Sequence, residues 1–161
     1  ELLRRANERL NTVLSEAWES RLGSLPFANS YEALTMASII EKESARSSER
    51  GLIAAVFVGR LDLGMRLQSD PTIIYGMGDR YAGNITRADL LEETPYNTYR
   101  IDGIPPTPIA LSGEASIVAA LNPSASDFLY FVARGDGSHQ FSRSLEEHNA
   151  AVREYQLGSN D

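Results

Sequence analysis

The sequence predicts an α+β fold, a helical body carrying a small antiparallel β element. Three observations lead there. Apolar residues recur at three- and four-residue spacing through the first sixty positions. Phe128-Leu-Tyr-Phe-Val reads as a strand, Gly135-Asp-Gly-Ser as a turn and His139–Ser142 as a return strand. A cap signature, Ser144-Leu-Glu-Glu, then opens a last helix.

Taken in order, residues 1–25 form a leading amphipathic segment. Its helix spans 2–22, with Leu2, Leu3, Ala6, Leu10, Val13, Leu14, Ala17, Trp18 and Leu22 on one stripe and Gly23 as the stop. After the connector Ser24-Leu-Pro-Phe, Asn29 or Ser30 caps a second helix that runs to about Ser44. Glu32 stands three residues past Asn29, as in a capping box. A third helix starts at Ser47 or Ser48 and ends near Asp62-Leu-Gly. From Met65 to Pro108 the pattern is irregular, rich in Gly, Pro, Tyr, Thr and Asn, with a short helix after Thr86 that has Asp89 in its first turn. Another helix covers 113–121 before Asn122-Pro123, and the last reaches about Leu157. The 161 residues make a single domain, and the start inside a helical pattern reads as a domain excised from a longer chain.

Composition removes several function classes. A formal charge of −7 is wrong for a nucleic-acid partner. Without cysteine there is no disulfide framework or thiolate metal site. Lys42 is the sole lysine, so a Schiff base or a phosphate-loop lysine would have to use it; His139 and His148 are the only histidines, so a three-histidine zinc site is impossible. No cofactor and no metal are expected. No apolar run is long enough to span a bilayer.

The second helix holds the chemistry. On a wheel of about 100° per residue, Leu34, Met36, Ala37, Ile39 and Ile40 share one face. Glu43 falls about 50° from its centre, Lys42 points away, and Glu41 lies on the flank. Glu43 is thus pushed toward the interior, at a helix C-terminus whose dipole also disfavours a carboxylate. Both influences keep a proton on the acid, as a general acid requires. The bland alternative is a rim residue paired with Arg46 or Arg50.

The stretch Thr-Met-Ala-Ser-Ile-Ile-Glu-Lys-Glu-Ser at 35–44, then Ser48-Glu49-Arg50, resembles the bacterial endolytic murein transglycosylase family (MltG, or YceG-like). So do Val56-Phe57-Val58-Gly59-Arg60-Leu61, Gly64-Met65-Arg66-Leu67-Gln68-Ser69-Asp70-Pro71-Thr72, Tyr75-Gly76 and Pro95-Tyr96-Asn97-Thr98-Tyr99. Gly103-Ile104-Pro105-Pro106, Asn122-Pro123, Leu129-Tyr130-Phe131-Val132, His139-Gln140-Phe141 and Glu147-His148-Asn149 continue the likeness over roughly residues 30–155.

The resemblance implies the catalytic domain of a longer protein of the bacterial inner membrane. An upstream anchor and a LysM-like region would precede it, and the domain would face the periplasm or extracytoplasmic space. The helix ending at Glu43 would be a lysozyme-like catalytic helix. The family's essential glutamate, the second of its E-K-E-[ST] motif, falls on Glu43, the residue the wheel selects independently. The implied reaction cuts nascent peptidoglycan strands internally at the MurNAc–GlcNAc β-1,4 bond and leaves 1,6-anhydro-MurNAc ends. One carboxyl serves as acid and then base, where ordinary glycosidases use two. The partners implied are peptidoglycan glycan strands and, beyond them, penicillin-binding proteins or other cell-wall synthases.

Gln68, Asp70, Tyr75, Tyr96, Asn97 and Tyr99 occupy the irregular middle and are candidate substrate contacts, since aromatic faces stack on sugars and amides bind acetamido groups. Each tyrosine could equally pack the loop onto the body, and Asp70 before Pro71 could be a turn or cap residue. His139, on a predicted strand, either reaches the cleft or satisfies a backbone group, while His148 on the last helix is expected to be structural. Ser38, Glu41 and Arg50 are expected to support the catalytic helix. Arg50, Arg60 and Arg66 are expected as ion-pair partners rather than substrate clamps. Rival readings are a water-using muramidase with Asp70 as second carboxylate, and a silent glycan-binding domain of the cell-wall machinery. An aminodeoxychorismate lyase label has also been attached to the family, but a lone lysine facing solvent suits pyridoxal phosphate poorly.

Overall fold

Leu10, Val13, Leu14, Ala17 and Trp18 fall on one side of the first helix and dock it onto the body. The structure, a computed structural model, describes residues 1–158. Helix α1 (Leu2–Glu19) stops earlier than its apolar stripe suggests. The Ser20 hydroxyl and N–H both turn back to the Glu16 carbonyl, and Gly23 adopts φ +66°. Leu2, Leu3 and Leu22 stay exposed.

Helix α2 (Ser30–Glu43) is the centre of the core. Ala33, Met36, Ala37, Ile39 and Ile40 are fully enclosed, against α1, α3 (Arg50–Asp62) and α6 (Glu114–Leu121). Asn29 caps α2 by accepting from the Glu32 N–H at 3.0 Å. Glu32 answers one residue further out than a capping box would, accepting from the Ala28 N–H at 2.7 Å. The Ser38 hydroxyl donates to the Thr35 carbonyl and accepts from the Ile109 N–H at 2.9 Å, tying the long middle segment to α2.

Glu41 has a defined structural task. Helix α6 begins at Gly113, which has no side chain to cap it. The Glu41 carboxylate, from the neighbouring helix, accepts from the Gly113 N–H at 3.1 Å and from the Ser116 hydroxyl. The Ser116 bond leads in holding its carboxyl below the usual range. A carboxylate at a helix N-terminus is favoured by the dipole.

The irregular middle holds more helix than its composition suggests. Asp70 before Pro71 reads as a turn or cap residue, and it opens α4 (Asp70–Met77) one place after the cap position at Ser69, with Pro71 in the first turn where its missing N–H costs nothing. The short helix after Thr86 is as expected, α5 (Arg87–Leu91) with Asp89 in its first turn, and the structure adds a Thr86–Asp89 capping box. The hairpin is also as expected, although β1 (Tyr130–Ala133) starts later than Phe128. It pairs antiparallel with β2 (His139–Ser142), Tyr130 opposite Ser142 and Ala133 opposite His139. Phe131 meets Phe57 of α3 edge-on at 5.7 Å, which lays the hairpin against the body. Helix α7 (Leu145–Val152) continues as a wider π-helical turn over Arg153–Leu157 and packs on both strands. Hairpin and α7 thus stand beside the C-terminal end of α2, with a cleft between them.

Candidate active site

The cleft measures about 340 Å³. Glu43, Gln68, Asp70, Tyr99 and His139 line it together with Arg60 and His148, and Phe57, Leu67, Phe131 and Val132 supply apolar wall.

Glu43 is the last residue of α2, and Ser44 leaves the helix with extended backbone. Ser69, buried between α2 and α4, donates its hydroxyl to Glu43 Oε1 at 2.7 Å. Ser69 is fixed in turn by two buried threonines. Thr98 Oγ1 accepts the Ser69 N–H at 2.8 Å and meets Thr72 Oγ1 at 2.8 Å, and Thr72 Oγ1 donates to the Ser69 carbonyl at 2.7 Å. Glu43 as a whole is half-buried, but its carboxyl is ringed by protein. Burial therefore dominates and raises its pKa, the Asp70 charge adds to the rise, and the Ser69 bond and His139 oppose it. Arg46 pairs with Asp136 instead, and Arg50 makes no ion pair among the described residues, so the rim-pair alternative is not what the fold adopts.

Around the acid stand groups suited to orienting a sugar. Gln68 holds φ +54°, the one non-glycine residue with positive φ among those described, and the strain places an exposed amide at the cleft. Tyr99 donates its hydroxyl to Asp70 Oδ1 at 2.7 Å. Burial, then Asp70 and Glu43, pushes the Tyr99 pKa well up, so it remains a donor. Glu49 grips His139 twice, through the backbone N–H at 3.1 Å and ring Nδ1 at 2.8 Å. Burial alone would raise the Glu49 carboxyl, but those two bonds and the His139 charge outweigh it and lower the pKa. With Nδ1 committed to a carboxylate, Nε2 is the nitrogen left for a ligand.

The other candidates lie elsewhere. Tyr75 and Tyr96 pack at a tilt with ring centroids 5.0 Å apart, away from the cleft, and the Tyr96 hydroxyl pairs with Thr107 at 2.7 Å. Gly76 permits that packing, since a Cβ there would approach Tyr96 Cβ to 2.9 Å. Asn97 is 2% exposed. Its amide donates to the carbonyls of Asp89, Leu90 and Glu92 and accepts from the Tyr99 N–H, which leaves nothing for a substrate. Asn97 and Tyr96 are thus tied to neighbouring protein groups, whereas Tyr75 lies outside the cleft with its ring about half exposed. Arg50 lies outside the cleft, close enough to Glu41 to lower its pKa. Arg66 pairs with Asp102 at 3.0 Å as expected, but Arg60 has no carboxylate partner among the described residues. Ser69 and Glu49 are site residues that sequence reasoning passes over, although both sit inside the motifs quoted above, beside the candidates Gln68, Asp70 and Arg50.

The YceG-like family profile matches residues 1–154. A Bacillus subtilis protein named endolytic murein transglycosylase is 37% identical over 160 residues, covering 99% of this chain and 42% of that protein. A Streptococcus pneumoniae protein of the same name is 38% identical over 130 residues, covering 77% of this chain and 23% of its own length. The chain thus spans less than half of these curated relatives. The crystal structure of a YceG-like protein from Listeria monocytogenes superimposes with TM-score 0.72 at 47% identity, over 77% of this chain and 40% of that one. With the profile covering nearly its whole length, the chain belongs to the YceG-like family.

Proposed function

We propose that this domain is the catalytic part of an endolytic lytic transglycosylase acting on peptidoglycan, a carbon–oxygen lyase with Glu43 as its one acid and base. The observation that carries the reading is the Glu43 carboxyl, enclosed beside a sugar-sized cleft with its pKa raised. The names of the relatives supply the substrate class.

Protonated Glu43 gives its proton to the glycosidic oxygen between MurNAc and GlcNAc as the C1–O bond breaks. The 6-hydroxyl of the same MurNAc closes onto C1, and its proton returns to Glu43. The nucleophile is already part of the substrate, so ring closure gains effective molarity and no second carboxyl is needed. Gln68, Tyr99 and Nε2 of His139 orient the sugar, and Asp70 holds Tyr99. Ser69 fixes one Glu43 oxygen, while Oε2 has no hydrogen-bond partner among the described residues. The domain is assigned to the outer side of the bacterial inner membrane, near cell-wall synthases.

Mass analysis of glycan fragments tests the reading. Anhydro-MurNAc ends are expected, whereas reducing ends would assign the cleft to a muramidase in which Asp70 activates water. A pair of variants gives a second check. The loss of kcat/KM with rising pH reports the Glu43 proton. Ser69→Ala removes an influence that lowers the Glu43 pKa, so that limb moves to higher pH. Asp70→Asn removes one that raises it, so the limb moves to lower pH. Shifts of the same sign in both variants would sink the assignment.

A further inference from the structure

The wall of the cleft also carries a cation that the mechanism above does not use. Arg60, on α3, is 6% exposed. Its Nε donates to the Leu129 carbonyl at 2.7 Å, and Nη1 donates to Arg66 O at 2.8 Å and Leu67 O at 3.4 Å. Tyr130 lies beneath the guanidinium at 4.9 Å. No carboxylate among the described residues comes within ion-pair distance, and Nη2 has no hydrogen bond there. Arginine stays cationic in proteins, and a buried charge is ordinarily paired. Carbonyl dipoles and a ring face offset part of the cost of burial, without supplying a counter-charge.

Beside it, His148 of α7 stacks on the other partner of Arg60, Tyr130, at 5.1 Å and 24°. Its Nδ1 is enclosed and unbonded. A bare acceptor is better tolerated there than a bare N–H, which puts the proton on Nε2. Burial, then the Arg60 charge, lowers the His148 pKa, so the ring adds a neutral donor and no second cation. Arg60 and His148 line the same cleft as Glu43.

We propose that Arg60 and His148 form a carboxylate-binding subsite, which grips an anionic group of the glycan while its glycosidic bond lies at Glu43. The proposal rests on the peptidoglycan reading above. Peptidoglycan carries carboxylates in two places: the lactyl group of a muramic residue without a peptide, and the stem peptide. A fork of guanidinium N–H and an imidazole N–H suits either.

The test is binding, so that it does not depend on turnover. The Glu43→Gln chain is titrated calorimetrically with four glycans of equal length: stem-bearing, stem-bearing with its carboxyls amidated, peptide-free, and peptide-free with its lactyl carboxyls amidated. Neutralising the recognised carboxylate is expected to weaken Kd about 10-fold, and the pair that responds identifies the source. Adding Arg60→Gln, whose amide still donates to carbonyls, should erase the difference between charged and neutral glycans. His148→Phe, which keeps the stack on Tyr130, should reduce it and serves where Arg60→Gln does not fold. Equal Kd for charged and amidated glycans in both pairs overturns the subsite, as does failure to bind all four. Binding with the expected discrimination, but no anhydro ends from wild type, would leave the subsite standing and remove the transglycosylase reading.

Discussion

Glu43→Gln is expected to remove glycan cleavage while making the domain more stable. Both outcomes come from the same feature, a carboxyl enclosed by protein at the end of α2. A glutamine fills the same space and keeps the Ser69 hydrogen bond, but it has no proton to give. General acid–base groups contribute roughly 10²- to 10⁴-fold, so turnover should fall by at least about 10³ when one group serves both proton transfers. The stability effect has a defined sign. The folded-state pKa of Glu43 lies above its unfolded value, so the charged form is the one penalised. That penalty is present above the folded pKa and disappears below the ordinary carboxyl range. The variant's advantage should therefore be seen at pH 7 and fade as the pH falls toward that range. Thermal melts across pH, beside product analysis at one pH, check both parts. A variant that still cuts glycan would remove Glu43 from the mechanism.

Asn97→Ala should do the reverse, leaving the chemistry and breaking the fold. The side chain satisfies three carbonyls around the end of α5 and one N–H of the 97–101 turn, all in a buried setting. Truncation strands those groups at about 1–3 kcal/mol apiece where water cannot reach them. A total near the low end for four groups, about 4 kcal/mol, is expected, which corresponds to a fall in Tm of about 10 °C for a domain of this size. Below the melt, KM should stay within a few-fold of wild type. A large rise in KM with Tm unchanged would return Asn97 to the list of substrate contacts.

These two residues mark how far sequence reasoning reaches. The inward position of Glu43 is local information: it follows from the period of one helix and the apolar residues on the preceding turns. The same local logic places a cap at Asn29 or Ser30, a short helix after Thr86, the hairpin and the last helix. Asn97, Tyr75 and Tyr96 are different, because residue type announces polarity or an aromatic face but not direction. Tyr75 stands on α4 beside Tyr96, and Asn97 serves the end of α5, contacts that only the tertiary fold sets. Arg60 misled for a related reason. Arginines usually find carboxylates, and only the fold reveals that this one finds carbonyls and a ring. The Glu49–His139 grip joins residues 90 positions apart, beyond any reading of spacing.

That span bears on when the site comes into being. Glu43 and Glu49 are translated early, whereas the opposite wall, from Phe131 through His139 to His148, comes last. Until hairpin and final helix dock, the cleft lacks the wall that carries Phe131, Val132, His139 and His148. A chain still being made, or clipped after α6, carries the acid but not the face that stands opposite it. The acid and its opposing wall therefore meet only in the fully assembled domain.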